Sequence, residues 1–473
     1  MAPTPTRRPL VVVANRLPVR REPAGWRPAT GGLVTALRPV IEEAGGAWIG
    51  WNDDVADMPR RIDGLACDLR PVELSRSQVR GYYYGFANRT LWPLFHDLVV
   101  QPVIDRGWWR VYEEVNRRFA AVTAEVVAAA PAPPLLWAHD YHLLLLPAML
   151  RDLSAASPIG FFLHIPFPPP ELFGRLPWRD QLLRGLLGAD VVGFQTVRYR
   201  DNFVRTVQQL LPGVESRGDR LALTDGRRVR VVAHPISIDV DEFTALATDE
   251  ESERELAELR RQFAGRRVFL GVDRLDYTKG IRHRLQSIEL LLEQNPSLRR
   301  EVAFVQVAVP SRDDVEEYRD LRAQVETEVG RINGRFTEPG HDVPVHYLYR
   351  GISRARLAAY YRLADVMCVT PLKDGMNLVA KEFVTVQAAT GGSGALLLSE
   401  FAGAILELDG DAIRCNPFDV EGLSHLLYAA LELDEQDRRA RLRRMAEKVR
   451  HADVFRWVED ELAEMDRNAE IGV

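Results

Sequence analysis

The stretch that decides the fold is RVFLGVDRLDYTKG, at residues 267–280. It opens with a continuous apolar run of strand length and passes directly into a loop that carries Asp, Arg and Lys. A strand that is apolar on both faces is typical of a parallel sheet covered by helices on both sides. Charged residues directly after such a strand lie at the sheet edge where α/β proteins bind their ligands.

Similar apolar runs recur along the chain and alternate with segments of helical length. In the first half we predict strands at 10–14, 47–51, 135–138, 159–163, 191–194 and 229–232. In the second half we predict them at 267–272, 303–308, 345–348, 366–369 and 395–398. This alternation predicts an α/β fold with two doubly wound, Rossmann-like domains facing one another. The predicted boundaries are 1–238, 239–455 and, for a C-terminal helix that packs back on the first domain, 456–473.

The composition is that of a globular protein and excludes several functions. The chain has 473 residues, is 46% hydrophobic and carries a formal net charge of −6. This acidic balance argues against a nucleic-acid partner, because phosphate binding needs a basic surface. Three widely spaced cysteines indicate free thiols in a reducing compartment. We find neither a membrane-length apolar run nor a signal-peptide core, so we expect a cytoplasmic protein with no membrane partner.

Lysine is rare in this chain, which makes its positions informative. Of the 61 Lys and Arg residues only four are lysines: Lys279, Lys373, Lys381 and Lys448. The first three fall in two short motifs, whereas Lys448 lies in a charged helical region. Because a compact ammonium and a planar guanidinium are not interchangeable, lysines that persist against such a bias are candidate site residues.

Polar residues follow the predicted strands of both halves. Because ligands bind beyond the carboxyl ends of parallel strands, these positions predict a functional cleft. They are Asn15-Arg16, His139-Asp140, His164, Asp273-Arg274, Ser311-Arg312 and 373–377.

Two segments of the second half have the chemistry of a diphosphate site. Arg274 and Lys279 place a guanidinium fork and an ammonium five residues apart, which suits a diphosphate. The alternative is a surface ion pair with a neighbouring aspartate. The segment DGMNLVAKE at 374–382 opens a helix, whose first amides and dipole favour anions. Within it, Asp374 and Glu382 can accept sugar hydroxyls, and for Lys381 we favour a structural ion pair.

The first half offers weaker candidates. Gly31-Gly32 lies before a predicted helix and is a candidate phosphate-facing loop. The aromatics at 82–84 and Trp92 fit either the core or a platform for a sugar ring. His139 and His142 form no recognisable metal motif, so we expect no metal.

With these motifs together, the chain resembles the trehalose-6-phosphate synthases of bacterial type, the retaining glycosyltransferases of family 20. The similarity runs in order from residue 10 to about residue 460. It is carried by VANRLP (13–18), GGL (31–33), LWP (91–93), HDYHLL (139–144), GFFLHIPFP (160–168), DRLDYTKG (273–280), DGMNLVAKE (374–382) and SEFAGA (399–404).

The resemblance implies a GT-B fold with a cleft between two Rossmann-like domains. It implies transfer of glucose from a nucleoside-diphosphate glucose to glucose 6-phosphate, which gives trehalose 6-phosphate and the nucleoside diphosphate. It further implies that no metal or other cofactor takes part and that the protein forms a homo-oligomer.

The resemblance also implies a role for each matching residue. Arg274, Lys279, His164 and Asp140 would be catalytic, with His164 contacting the donor sugar. Trp92 and Ile165 would shape the acceptor pocket and select its α anomer. The implied acceptor ligands are Arg16, Tyr83, Asp140 and Arg312, with both arginines on the phosphate. The implied donor ligands are Gly31, Gly32, Arg274, Lys279, Ile352 (against the base), Asp374, Leu378, Val379, Ala380, Lys381 and Glu382.

An α,α-1,1 linkage retains the configuration of the donor carbon. Retaining glycosidases use a carboxylate nucleophile. The resemblance instead implies attack from the face that the diphosphate leaves, with the diphosphate taking the acceptor proton. Arg274 and Lys279 would then stabilise the charge that grows on the leaving group.

Two departures from the family pattern stand out. Gly351 precedes the residue implied to face the base, where a larger side chain is expected, so its absence leaves room for a purine. The donor therefore stays open between UDP-glucose and GDP-glucose. The segment TGGSG at 390–394 is glycine-rich where a proline-bearing loop is expected, which affects local loop shape only.

Two other functions fit the same scaffold. A pseudo-glycosyltransferase that couples cyclitols would have lost part of the sugar-binding set, but this chain keeps Arg16, Gly31-Gly32, Asp140 and Asp374. A catalytically silent sensor of trehalose 6-phosphate would show damage at the diphosphate cations, but Arg274 and Lys279 are both present.

Overall fold

The computed structural model describes residues 8–22, 25–29, 34, 37–38, 41, 45–53, 58–65, 67–153, 156–312 and 314–471. The chain forms two compact units, one of Met1–Ile236 with Val454–Val473 and the other of Ser237–Asp453. Each unit has its own mainly parallel sheet.

The first unit is built on a sheet that, among the described residues, has nine strands. The strands of this unit are β1 (Leu10–Arg16), β2 (Val19–Glu22), β3 (Gly25–Pro28), β4 (Gly46–Trp51), β5 (Asp68–Pro71), β6 (Leu135–His139), β7 (Ile159–Leu163), β8 (Val191–Phe194), β9 (Glu215–Arg217), β10 (Arg220–Ala222) and β11 (Arg228–Ala233). The nine strands of the sheet lie in the order β5-β4-β1-β6-β7-β8-β11-β10-β9. The pairs from β5 through β11 are parallel, and β10 and β9 add an antiparallel edge. β2 and β3 form a separate hairpin.

Helices connect these strands. The longest of them within the unit's described part, Arg106–Ala129, begins at an Asp105 side chain that accepts a hydrogen bond from the Trp108 amide, and it buries one apolar face. A π-helical segment, Arg80–Leu91, follows the short helix Arg76–Val79. The remaining helical segments are Trp92–Phe95, Tyr141–Leu143 (a 3₁₀ turn), Leu146–Leu153, Pro170–Phe173, Arg179–Leu186, Val197–Leu210 and Val454–Ile471.

The C-terminal helix Val454–Ile471 belongs to the first unit although it follows the second in sequence. Its Trp457 ring lies 5.2 Å from that of Trp137 and 5.0 Å from that of Phe162. A Cβ placed on Gly160 of β7 would lie 2.5 Å from the sulfur of Met465, so the glycine lets the helix lie directly on the sheet.

The second unit has a six-stranded sheet among its described residues. Its strands are β12 (Arg267–Arg274), β13 (Val302–Val309), β14 (Val345–Leu348), β15 (Val366–Val369), β16 (Ala395–Ser399) and β17 (Ile413–Cys415). All pairs are parallel, and the order is β14-β13-β12-β15-β16-β17. Its helical segments are Val240–Leu246, Glu250–Gln262, Tyr277–Lys279 (a 3₁₀ turn), Ile281–Gln294, Leu298–Glu301, Glu316–Phe336, Arg354–Leu363, Leu378–Ala389, Ile405–Leu408, Val420–Glu432 and Glu435–His451.

The predicted α/β class with two parallel-sheet domains is confirmed. Each of the eleven predicted apolar runs lies within a strand. The strands that the sequence did not predict are β2, β3, β5, β9, β10 and β17. They have three or four residues each and are charged or half exposed, so they lack the apolar pattern of a buried strand. Among the described residues, no helix has both the length and the apolarity to span a membrane.

Candidate active site

The carboxyl edge of the first unit's sheet gathers three of the predicted site residues. Arg16 ends β1, Asp140 directly follows β6, and His164 directly follows β7. β6 lies between β1 and β7 and pairs in parallel with both. Parallel neighbours end at the same edge of the sheet, so residues more than a hundred positions apart in the chain are brought to one place.

The Arg16 guanidinium lies on an aromatic platform at this edge. Its Cζ lies 3.5 Å from the centroid of the Trp51 ring. Nη1 of Arg16 donates to Asp53 Oδ2 at 2.8 Å, and the two side chains are 38% and 74% exposed. An exposed ion pair of this kind contributes about 0–1 kcal/mol. The guanidinium can therefore exchange Asp53 for another anion at little cost.

Tyr83 lies beside this platform on the π-helical segment Arg80–Leu91. Its ring stacks on that of His142 at 5.7 Å and meets the Trp51 ring edge-on at 5.8 Å. The neighbouring Tyr82 is fully buried and donates its hydroxyl to Asn15 Oδ1 at 3.1 Å. Of the tyrosines that sequence left open between core and sugar platform, Tyr82 belongs to the core, whereas Tyr83 is half exposed. π-Helices are rare and are often found at functional sites.

Asp140 adopts a backbone conformation that non-glycine residues rarely take. Its φ is 74° and its ψ is 167°. Its Oδ1 accepts a hydrogen bond from the His164 amide at 3.3 Å, and its own amide donates to the Phe162 carbonyl at 2.8 Å. Strained backbone held in place by such bonds is concentrated at functional sites.

His164 and His139 form a close pair of imidazoles. Nδ1 of His139 lies 3.2 Å from Nε2 of His164, so one nitrogen donates and the other accepts. Burial lowers the pKa of His164 to about 3. Burial, together with the adjoining His164, also places the pKa of His139 well below its ordinary value. Both rings are neutral at pH 7, so His164 can exchange hydrogen bonds with a ligand but cannot serve there as a protonated acid.

The two residues predicted to select the acceptor anomer are both buried. Trp92 is 4% exposed, and its ring lies 5.5 Å from that of Tyr141. Ile165 follows His164 and is 6% exposed. Gly31 and Gly32, the predicted phosphate-facing glycines, lie outside the described residues.

In the second unit, the predicted diphosphate residues meet at the carboxyl edge of the sheet. Arg274 ends β12 and is exposed, and Lys279 lies in the turn that follows. Lys279 Nζ lies 2.5 Å from Oδ2 of Asp374, which follows the neighbouring strand β15. Lys279 therefore forms its ion pair with Asp374, which is distant in the chain, although its charge also acts on the neighbouring Asp276.

A helix begins at this same point. Asn377, with a φ of 87°, caps the helix Leu378–Ala389 by accepting from the Ala380 amide at 3.3 Å. Its side-chain amide donates to Asp374 Oδ2 at 3.0 Å. Asn377 lies within the predicted motif but had no predicted role; an Asn directly before a helical run was the available signal. The first-turn amides of Leu378 and Val379 have no partners within the helix and favour an anion.

Lys381 and Glu382 lie one turn further into this helix. Lys381 Nζ bonds both oxygens of Glu407, at 2.7 and 2.9 Å, and its side chain is fully buried. Burial lowers the pKa of Lys381, and Glu407 opposes that shift. The side chain of Lys381 is therefore held by Glu407, so a predicted contact of this residue with the nucleotide-sugar donor would come from its backbone. Glu382 Oε2 accepts the Tyr361 hydroxyl at 2.7 Å, and burial raises the pKa of this carboxyl.

Arg312, predicted to hold the acceptor phosphate, belongs to the second unit and lies in a buried ion pair. Its Nη1 donates to Asp276 Oδ2 at 2.9 Å, where the two side chains are 4% and 0% exposed. Burial by itself would raise the pKa of Asp276, but Arg312, with Arg274 and Lys279, lowers it to about 2. Tyr318 donates its hydroxyl to the same carboxylate at 2.9 Å. The sequence did not predict this tie to Asp276.

Ile352, predicted to face the base, is half buried and precedes the helix Arg354–Leu363. Gly351 is exposed, and a Cβ placed on it would meet no atom within 4 Å. Across the described part of the chain, no group of three His, Cys, Asp or Glu side chains is arranged to hold a metal ion.

Comparison with known proteins identifies the family. Residues 8–467 match the model of glycosyltransferase family 20. The chain belongs to glycosyltransferase family 20. The predicted enzyme class, a glycosyltransferase, is thereby confirmed.

Relatives of this family 20 chain are similar to it over nearly its whole length. The trehalose-6-phosphate synthase of Mycobacterium avium is 46% identical over 475 residues, which cover 96% of this chain and 95% of the relative. The solved alpha,alpha-trehalose-phosphate synthase (UDP-forming) from Burkholderia vietnamiensis is 37% identical, with a TM-score of 0.91 and 98% of each chain covered. The corresponding structure from Burkholderia xenovorans in complex with glucose-6-phosphate is 36% identical, with a TM-score of 0.87, and covers 97% of this chain and 99% of that one. These similarities confirm the predicted resemblance and the GT-B class of this family 20 chain.

Proposed function

We propose that the chain transfers glucose, with retention, from a nucleoside-diphosphate glucose to glucose 6-phosphate and so makes trehalose 6-phosphate. The observation that carries this proposal is the cationic cluster at the carboxyl edge of the second unit's sheet. There Lys279, within 2.5 Å of Asp374, stands beside the start of the helix Leu378–Ala389, and Arg274 is on the same loop. A guanidinium, an ammonium and a helix N-terminus together suit the diphosphate of the donor.

The acceptor is the part of the proposal that rests on the first unit. Arg16 would take the phosphate of glucose 6-phosphate in place of Asp53, with Trp51 holding the guanidinium plane. Tyr83 and Asp140 would bind the sugar hydroxyls. Arg312 stays a proposed second phosphate ligand. The relative from Burkholderia xenovorans was solved with glucose-6-phosphate, which supports this choice of acceptor.

The reaction that we propose needs no enzyme nucleophile. The anomeric hydroxyl oxygen of the acceptor forms a bond to C1 of the donor glucose, on the face from which the diphosphate departs. The bond between C1 and the diphosphate oxygen breaks, and its electron pair stays on that oxygen. The acceptor proton passes to the departing diphosphate. Arg274 and Lys279 stabilise the negative charge that grows there, which is the role a metal cation plays in other enzymes.

The remaining residues position the sugars in this scheme. His164, neutral at pH 7, would bind a hydroxyl of the donor glucose. Asp374 would accept donor hydroxyls, and Trp92 and Ile165 would limit the acceptor pocket to one anomer. None of these groups has to carry a proton from one reactant to the other.

We infer UDP-glucose as the first candidate donor, because two of the solved relatives are UDP-forming enzymes. GDP-glucose is the second candidate, and the open space at Gly351 favours it. A purine needs more room than a pyrimidine, and no atom lies within 4 Å of the position that a Cβ would take there.

The test is an assay of purified protein with glucose 6-phosphate and, in turn, UDP-, GDP- and ADP-glucose. We expect release of the nucleoside diphosphate together with trehalose 6-phosphate, whose α,α linkage is read by NMR. A cyclitol-coupling enzyme would turn over only with a cyclitol acceptor, and a silent sensor would bind trehalose 6-phosphate without turnover. Either result would overturn the proposal.

The homo-oligomer stays a prediction. The molar mass of the same preparation, measured by light scattering, tests it. The absence of nucleic-acid and membrane partners also stays an expectation from the composition.

A further inference from the structure

A fully buried arginine lies under the loop that carries the proposed diphosphate cations. Arg284 is on the helix Ile281–Gln294, directly after that loop, and its side chain is 0% exposed. Nη1 donates to Asp273 Oδ2 and to Gln306 Oε1, at 2.7 Å each, and Nε donates to Thr370 Oγ1 at 2.9 Å. Nη2 lies 3.4 Å from the carbonyl oxygen of Lys279.

These partners belong to different elements of the second unit. Asp273 is the next-to-last residue of β12, adjacent to Arg274, and Gln306 is in β13. Thr370 directly follows β15 and starts the segment that leads to Asp374. Arg284 therefore connects the side chain of Asp273, the residue before Arg274, with the backbone of Lys279 and with Thr370 in the segment before Asp374.

Burying this guanidinium costs free energy of desolvation and the place of one side chain in β12. Taking a charge out of water is unfavourable, and a buried ion pair is often no more stable than an apolar replacement. A Cβ on Gly271, in the middle of β12, would lie 2.4 Å from both Arg284 Nη1 and Gln306 Oε1. A glycine inside a buried strand weakens the strand and marks a close approach. The strand thus gives up a side chain to admit the network, which points to a role beyond stability.

We propose that Arg284 is a positioning residue for the proposed diphosphate site of Arg274, Lys279 and Asp374. It holds the end of β12, the Lys279 turn and the Thr370 segment in one fixed relation, so that Arg274, Lys279 and Asp374 are preorganised before a donor binds. This inference rests on the proposed function of those three residues. Groups that orient ligand-binding residues from behind are expected to change affinity when they are altered.

The test compares Arg284→Lys with a matched control, Arg266→Lys. Arg266 precedes the opposite end of the same strand, is 11% exposed, and donates from Nε to the Val302 carbonyl at 3.0 Å and from Nη2 to that of Val343 at 3.1 Å. In both variants the charge stays and the planar fork is lost. The measurements are the dissociation constants of UDP and GDP by calorimetry, the donor KM and kcat, and the free energy of unfolding.

We expect Arg284→Lys to weaken nucleoside-diphosphate binding about tenfold or more and to raise the donor KM, while the acceptor KM stays within about twofold. Arg266→Lys should lose stability without that change in affinity. Wild-type affinity in Arg284→Lys, or equal weakening in both variants, would overturn the proposal. If Arg284→Lys does not fold, Thr370→Val, which removes a single acceptor, decides the matter, and wild-type affinity there also overturns it.

The result that would overturn the proposed function differs from the result that would overturn the role of Arg284. If the proposed function fails, wild-type protein binds the nucleoside diphosphate but makes no trehalose 6-phosphate with any of the three donors, and the comparison of the two arginine variants still holds.

Discussion

Lys279 and Lys448 have the same side chain in different surroundings. Lys279 is 12% exposed and lies beside Asp374 at the proposed diphosphate site. Lys448 is on the helix Glu435–His451 and is 42% exposed, and its Nζ lies 3.0 Å from Oδ2 of Asp411. In a chain that has only four lysines, the ammonium of Lys279 lies among the predicted site residues, whereas the partly exposed ammonium of Lys448 shares the buried carboxylate of Asp411 with Arg444.

We therefore expect Lys279→Ala to lower kcat by about a hundredfold or more, because in the proposed mechanism this change removes a preorganised cation from the leaving group. Lys448→Ala should leave kcat within about twofold and cost at most about 1 kcal/mol of stability. Steady-state kinetics with the preferred donor measure the first effect, and urea unfolding measures the second. Equal turnover in the two variants would remove Lys279 from the proposed mechanism.

The His139–His164 pair predicts how stability depends on pH. Both imidazoles have a lowered pKa in the folded chain, and that of His164 is about 3, against about 6.5 in an unfolded chain. Below pH 6.5 the unfolded state therefore binds protons that the folded state does not. The stability that the neutral histidines contribute is complete above that pH and is lost as the pH falls toward 3.

We expect the free energy of unfolding to fall between pH 7.5 and pH 5, by up to about 1.4 kcal/mol per pH unit for each histidine. Urea unfolding of wild type, His139→Gln and, as a control, the exposed His451→Gln measures the slope. His139→Gln should flatten it and the control should not. A slope unchanged by His139→Gln would contradict the assignment of this pair as neutral and buried.

At the scale of the element, the turn between β12 and the helix Ile281–Gln294 depends on one glycine. Gly280 has a φ of 67°, and a Cβ on it would lie 2.2 Å from the Thr370 carbonyl oxygen. The glycine therefore meets two demands, a left-handed backbone and the close approach of a neighbouring segment. Gly265, just before β12, has a φ of 74° with no atom within 4 Å of the Cβ position. A side chain at Gly265 would therefore meet backbone strain alone, whereas a side chain at Gly280 would meet both backbone strain and a steric clash.

We expect Gly265→Ala to cost about 1 kcal/mol, from the left-handed backbone alone. Gly280→Ala should cost about 3 kcal/mol or more, since the clash adds to that strain, and should also weaken nucleoside-diphosphate binding. Thermal unfolding and calorimetry of both variants make the comparison. Similar losses in the two would mean that the Thr370 segment moves aside freely.

At the scale of the whole molecule, the C-terminal helix Val454–Ile471 belongs to the first unit, although the rest of that unit ends at Ile236, more than two hundred residues earlier in the chain. Trp457 packs on Trp137 and Phe162. His234 Nδ1 lies 2.8 Å from Oε1 of Glu461, a residue 1% exposed. The C-terminal helix therefore covers apolar side chains of the first unit, among them Trp137 and Phe162.

We expect Trp457→Ala to destabilise the first unit by about 3–5 kcal/mol, the cost of emptying a buried aromatic site. Trp26→Ala, on the half-buried hairpin of β2 and β3, is the control and should cost clearly less. Denaturation followed by hydrogen exchange, which reports each unit separately, is the measurement. An equal loss in the two variants would show that the helix contributes little.

The sequence by itself determined the two parallel-sheet domains, because buried strands are continuous apolar runs that helices separate. It also determined which residues follow the strands, since the edge where a strand ends is fixed by chain order. Only the tertiary structure decided what those residues touch: Lys279 on Asp374, Lys381 on Glu407, and Arg312 on Asp276. The same holds for Arg284, whose partners come from three strands or strand ends. Spacing along a chain gives the position of a charge, but its partner depends on how the strands are ordered in the sheet and how deeply the pair is buried.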